Sequence, residues 1–148
     1  MLSLQHATKS YRDGHQEIPV LRQLSFSMQP GETVALMGES GAGKSTLLHI
    51  CAGFENLDSG RVLVRQQDLQ TLNDVRLSRF RRRYLGVVFQ QYNLIPTLTV
   101  GDNISFIRRL NRLSGDHEYL ATIINTLQLT PLLHQYPETL SGGEQQRV

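Results

Sequence analysis

The chain has 148 residues, enough for one domain with a core of its own, and a formal net charge of +2, which argues for neither a strongly acidic nor a strongly basic partner. One cysteine, Cys51, rules out a disulfide framework within the chain and fits a reducing compartment. No apolar run approaches the length of a membrane span, and the N-terminal residues lack the charged and apolar regions of a secretory signal. The expectation is a soluble or peripheral protein.

In chain order, the first clear element is Leu24, Phe26 and Met28 alternating with Ser25 and Ser27, the period-two pattern of a half-buried strand. A turn at Gln29-Pro30-Gly31-Glu32 leads into residues 33–37, Thr-Val-Ala-Leu-Met. This short apolar run with β-branched residues is expected to be a buried strand. From Lys44 to Ala52, Leu47, Leu48 and Cys51 recur at helical spacing, and Gly53 supplies a C-terminal stop. Cys51 falls on the apolar side of that helix and reads as a small buried hydrophobe.

Between the strand and the helix lies Gly38-Glu39-Ser40-Gly41-Ala42-Gly43-Lys44-Ser45-Thr46, which fits glycine, four residues, Gly-Lys-Ser/Thr. The pattern is made to hold the phosphates of a nucleoside triphosphate. Gly38, Gly41 and Gly43 let the backbone curl close to phosphate oxygens. Successive N–H groups form an anion nest, and the helix beginning at Lys44 adds its positive dipole end. Lys44 is expected to reach the β- and γ-phosphates, Ser45 to ligate Mg²⁺, and Thr46 to support the α-phosphate.

After the turn Asp58-Ser59-Gly60, Val62 and Val64 alternate with Leu63 and Arg65 in another strand. The early strands together are expected to form a small, largely antiparallel sheet. Residues 75–84 carry Arg76, Arg79, Arg81, Arg82 and Arg83. Because the rest of the chain balances this charge, a solvated helix face is the preferred reading over a nucleic-acid or anionic-lipid patch. Residues 85–89 read as a second buried strand ending at Gln90. Helices follow over 99–112 and 116–129, the second with Leu120, Ile123, Ile124 and Leu127 as a core-facing stripe.

Ser141-Gly142-Gly143-Glu144 is a Ser-x-x-Glu capping box that opens a helix. Two glycines weaken a first helical turn. They make sense where an anion must approach the backbone closely.

With Leu140-Ser141-Gly142-Gly143-Glu144-Gln145-Gln146-Arg147 added to the phosphate loop, the chain resembles the ATP-binding cassette (ABC) ATPases, whose signature motif this segment matches. Residues 86–100 and the insert between Tyr11 and Val20 especially resemble the lipoprotein-release and macrolide-exporter branch. The resemblance implies an α/β P-loop NTPase fold, a partial ABC-ATPase nucleotide-binding domain with an antiparallel β subdomain and a helical subdomain. It divides the chain into 1–90, the β subdomain and P-loop core, and 91–148, the helical subdomain. It implies that Tyr11 stacks on adenine and that Gln90 touches Mg²⁺ and the attacking water, beside Lys44 as a catalytic group. Ser141, Gly142, Gly143 and Glu144 would meet an ATP held by a second cassette in a head-to-tail dimer. A transmembrane permease would be the other partner, with no nucleic acid, and the protein would sit on the cytoplasmic face of the membrane.

The family also uses an Asp-Glu pair after a second apolar strand (Walker B) and a later switch histidine. No Asp-Glu dipeptide occurs here, and the histidines at 6, 15, 49, 117 and 134 precede or lie outside the switch position. The sequence therefore reads as an N-terminal portion of a cassette that binds ATP without efficient hydrolysis. Three other readings are weaker. DNA-repair cassettes would need cysteine pairs for zinc, translation cassettes come in tandem, and a small-molecule kinase has no use for the Leu-Ser-Gly-Gly-Glu segment.

Overall fold

The computed structural model describes residues 1–14, 16–111 and 117–148, in two compact units, Met1–Gly86 and Val87–Val148. The expected helix ends at Arg112 and Asp116, and His15, lie outside the described residues.

The first unit is built on a four-stranded antiparallel sheet in the order β2-β1-β3-β4, formed by β1 (Leu2–Asp13), β2 (Gln16–Met28), β3 (Ser59–Val64) and β4 (Gln67–Asp68). The alternation read at 24–28 is present, with Leu24, Phe26 and Met28 half-buried and the serines exposed. β1 is central: Leu4 faces Phe26 on one side and Val62 on the other. Its register shifts between Gln5 and Thr8, around His6 at φ 48°. There β3 comes close. A side chain on Gly60 (φ 93°) would meet the carbonyl oxygens of His6 and Gln5 at 2.4 and 2.5 Å.

Two helices cover the sheet. α1 (Lys44–Cys51) buries Ile50, and α2 (Asp74–Tyr84) buries Leu77 and Phe80 against Leu4, Ala7, Val62 and Leu69. α1 ends as expected at Gly53 (φ 66°), where Gly53 N–H donates to Ile50 O (3.0 Å) and Phe54 N–H to His49 O (2.8 Å). This paired closure of a helix end needs a left-handed residue at Gly53. Cys51 is half-buried, and desolvation pushes its thiol up to about 11, in keeping with a packing role. In α2 the arginines do not act alike. Arg81 is drawn inward, donating to Gly53 O (2.6 Å) and lying over the Phe54 ring, whereas Arg76, Arg79, Arg82 and Arg83 stay exposed.

Two sequence expectations fail. Residues 33–37 and 85–89 are not strands, and apart from Leu85, which is half-buried against the core, they are exposed: Met37 is 86 % and Val88 98 % exposed. An extended segment becomes a strand only when a neighbour takes up its backbone N–H and C=O groups. No strand among the described residues runs beside either segment.

In the second unit, α3 (Val100–Leu110) and α4 (His117–Thr126) precede a short helix, α5 (Gly142–Arg147). The stripe on α4 is only half-buried at Leu120, Ile123 and Ile124, and Leu127 lies past the helix end and is exposed. Leu129, Val100, Leu140 and Pro137 are the buried residues among those described. Asn103 organises the entry to α3. Its Oδ1 accepts from Ile95 N–H (2.8 Å), and its Nδ2 faces the carbonyls of Ile95, Leu98 and Thr99 at 3.0–3.1 Å. No hydrophobic side chain can replace that set. Asn103→Leu is expected to destabilise the chain by about 2–3 kcal/mol, from several lost hydrogen bonds of about 1 kcal/mol each, among them the one that satisfies the part-buried Ile95 N–H. Urea denaturation of the two proteins checks this.

Candidate functional site

Positive φ angles at Gly38 (155°), Gly41 (81°) and Gly43 (82°) curl the loop between residue 37 and α1. A side chain at Gly43 would stand 2.5 Å from Val20 Cγ1, so β2 presses against the loop from below. α1 starts at Gly43 with no side-chain cap and no acidic residue in its first turn. Its first N–H groups and positive dipole end are thus left for a ligand from outside the helix. Val20, Ser40, Gly41, Gly43, Lys44, Ser45 and Thr46 line a cavity of about 280 Å³ at this end.

Lys44 Nζ donates to Gly38 O (2.8 Å) and Glu39 O (2.5 Å), so its charge is folded back over the loop. The Ser45 side chain is exposed at the cavity. Glu39, Ser40 and Ala42 are exposed along the loop, and Ala42 N–H donates to Glu39 O (3.3 Å) to close its turn. The residues present fit a phosphate tail: backbone amides, an ammonium on a flexible stem and a hydroxyl at one mouth, with the space kept open by missing Cβ atoms. No cluster of three or more His, Cys, Asp or Glu stands ready for a metal among the described residues. A cation there would rest on Ser45 and on the ligand's own phosphates.

Tyr11 is brought to the same site from β1. Its hydroxyl donates to Glu55 Oε2 (2.7 Å) and lies 3.3 Å from Thr46 Oγ1. Lys9 completes the group, with Nζ 3.1 Å from Glu55 Oε1. The Tyr11 hydroxyl and, after it, Lys9 hold the Glu55 carboxyl below its ordinary range. The resemblance named Tyr11 but not Val20, Lys9 or Glu55. They are contributed from separate stretches of chain, and no local pattern marks them.

Gln90 is exposed at a bend in the second unit. The capping box is formed as expected. Ser141 caps α5, Glu144 N–H donates to Ser141 Oγ (3.4 Å), and Glu144 Oε2 accepts from Ser141 N–H (2.8 Å) and Oγ–H (2.6 Å). Those bonds, the hydroxyl's first and the amide's second, hold the Glu144 carboxyl low. Glu144 is therefore engaged in starting the helix. Space at Gly143 is open, whereas a side chain at Gly142 would touch the Tyr92 hydroxyl at 3.1 Å.

The family model described as ABC transporter matches residues 21–148. The lipoprotein-releasing system ATP-binding protein LolD of Hydrogenovibrio crunogenus is 39 % identical over 150 residues, covering 100 % of this chain and 65 % of that protein. The macrolide export ATP-binding/permease protein MacB of Brucella melitensis biotype 1 is 38 % identical over 150 residues, covering 100 % of this chain and 23 % of that protein. Among solved structures, the ATP-binding cassette MJ0796, in a dimeric post-hydrolysis state bound to ADP and Pi, superposes with a TM-score of 0.89 at 33 % identity, covering 99 % of this chain and 66 % of that one. The chain thus spans less than two thirds of the length of these curated relatives, and its sheet, glycine loop and helices are part of the cassette fold. On the strength of a family match over most of its length and of relatives aligned from end to end, the chain belongs to the ABC transporter family.

Proposed function

We propose that the chain is the ATP-binding part of an exporter-type ABC ATPase. The observation that carries this is the uncapped start of α1 behind a glycine loop, with Lys44 folded over it and an open cavity between. Mg–ATP would lay its triphosphate along the loop amides, with Lys44 moving from the Gly38 and Glu39 carbonyls to the β- and γ-phosphates. Ser45 would hold Mg²⁺, with Gln90 touching the ion and the attacking water, and Thr46 would support the α-phosphate. Tyr11 would stack on the adenine.

The exposed glycine turn at Ser141, Gly142 and Gly143 suits a γ-phosphate bound by a second copy in a head-to-tail dimer, in line with the dimeric state of the solved cassette. Closing on ATP would drive a membrane permease, with the cassette peripheral on the cytoplasmic face. Among the described residues no helix is long and apolar enough to cross a membrane. The residues 1–90 would form the β and P-loop part of the cassette and 91–148 its helical part.

Isothermal titration of the folded chain with Mg–ATP tests the central claim, and no heat of binding at millimolar nucleotide refutes it. Turnover is a separate expectation. The 148 residues contain no Asp-Glu dipeptide to support Mg²⁺ and polarise water. Phosphate release from the purified chain is expected to stay at the background rate. Robust release that disappears in Lys44→Ala would show the opposite.

A further inference from the structure

We infer that Glu55 is a positioning residue for the base. Acting on the Tyr11 hydroxyl, it fixes the aromatic ring against the phosphate-loop helix and so sets where a purine can lie. The inference rests on the ATP reading above and extends it to a residue that does not itself touch the nucleotide.

Lys9 and Tyr11, two apart on β1, project from the same face of the strand. Glu55 follows the glycine stop of α1 and binds both with different oxygens, Oε2 taking the Tyr11 hydroxyl (2.7 Å) and Oε1 the Lys9 ammonium (3.1 Å). Lys9 is itself fixed, donating to Asn56 O (3.0 Å) and lying 3.6 Å from Asp58 Oδ1. Asp58 then ties back to β1 by accepting from Ser10 N–H (2.6 Å). The Glu55 and Lys9 side chains are only 24 % and 14 % exposed, so this pair is partly shielded from solvent.

Tyr11, by contrast, leaves 39 % of its surface open. Its hydroxyl also reaches Thr46 Oγ1 (3.3 Å), on the first turn of α1, which links the ring to the loop that would hold the phosphates. A tyrosine held only by its backbone would sample several rotamers. Tied at its far end, it presents one plane at a fixed distance from the phosphate site. Preorganisation of this kind raises affinity by cutting the ordering cost of binding.

Binding of Mg–ATP and of Mg–tripolyphosphate, the same tail without a base, separates this role from general damage. In Glu55→Ala, ATP affinity is expected to fall about three- to tenfold, the cost of one freed aromatic rotor, with tripolyphosphate affinity unchanged. Tyr11→Phe keeps the ring and removes only the hydroxyl, so it should give the same selective loss. The double variant should be no worse than Tyr11→Phe alone, because removing the hydroxyl already breaks its connection to Glu55. Equal losses for both ligands in Glu55→Ala, or unchanged ATP affinity in Tyr11→Phe, would overturn the assignment. A wild-type chain that binds neither ligand would refute the ATP reading and this inference together. A wild-type chain that binds both, with variants that do the same, would refute only the inference.

Discussion

Lys44→Ala is expected to weaken Mg–ATP binding by about one to two orders of magnitude, the equivalent of one charge-assisted hydrogen bond at about 1.5–3 kcal/mol. Stability should change little. Nζ bonds the Gly38 and Glu39 carbonyls, and both of those residues are exposed, so water can take its place. The two effects separate because the ammonium serves the loop only as a resting place, whereas nothing else in the cavity lining carries a positive charge. Lys44→Arg should not restore full affinity. A planar guanidinium is wider than an ammonium and directs its donors in a fixed fork. Titration calorimetry gives the affinities and thermal unfolding the stability. Wild-type affinity in Lys44→Ala would mean that the phosphates bind elsewhere.

The largest stability effect is expected at Gly60. Gly60→Ala should cost about 3 kcal/mol or more, lowering Tm by roughly 6–12 °C for a chain of this size. Two penalties add. A left-handed φ of 93° disfavours any side chain, at about 1–2 kcal/mol. The new Cβ would also stand 2.4 and 2.5 Å from the His6 and Gln5 carbonyl oxygens, and backbone atoms cannot swing aside as a side-chain tip can. Relief requires β1 and β3 to separate at the sheet's centre. Gly31→Ala is the control: its φ of 83° is similar, but nothing lies within 4 Å of the added atom. It should lose only the backbone penalty. Equal losses at the two positions would show that conformation alone, and not the approach of β1, sets the cost at Gly60.

What the sequence made legible was chemistry packed into short stretches. The phosphate loop, the Gly53 stop and the Ser141–Glu144 box each specify their geometry within four to nine residues, and each is formed as expected. The alternation at 24–28 and 62–64 was readable too, because one face of those strands meets the core and the other meets solvent. Residues 33–37 and 85–89 show the limit. An apolar run states that a segment is suited to burial, but the partner that buries it comes from elsewhere. For α4, helical spacing located the face but overstated its depth, and Leu129 beyond the helix is the residue that reaches full burial. The Lys9–Glu55–Tyr11 group was invisible for a related reason: 44 positions separate Tyr11 from Glu55, and only the fold closes that distance. The arginines of α2 look uniform in sequence, yet the helix turns Arg81 inward onto Phe54 and leaves four of the others outside.

The uncovered runs around Met37 and Val88 bear on how this polypeptide behaves in the test tube. Apolar, exposed and without a strand alongside, they offer the kind of edge on which a stranger's backbone can zip up. Yield, shelf life and turbidity should therefore depend steeply on protein concentration, and a dye that lights up on greasy surfaces should report them even in fully folded material. Placing a lysine at Val88, whose side chain touches almost nothing, should raise the solubility ceiling without disturbing the sheet that carries Tyr11.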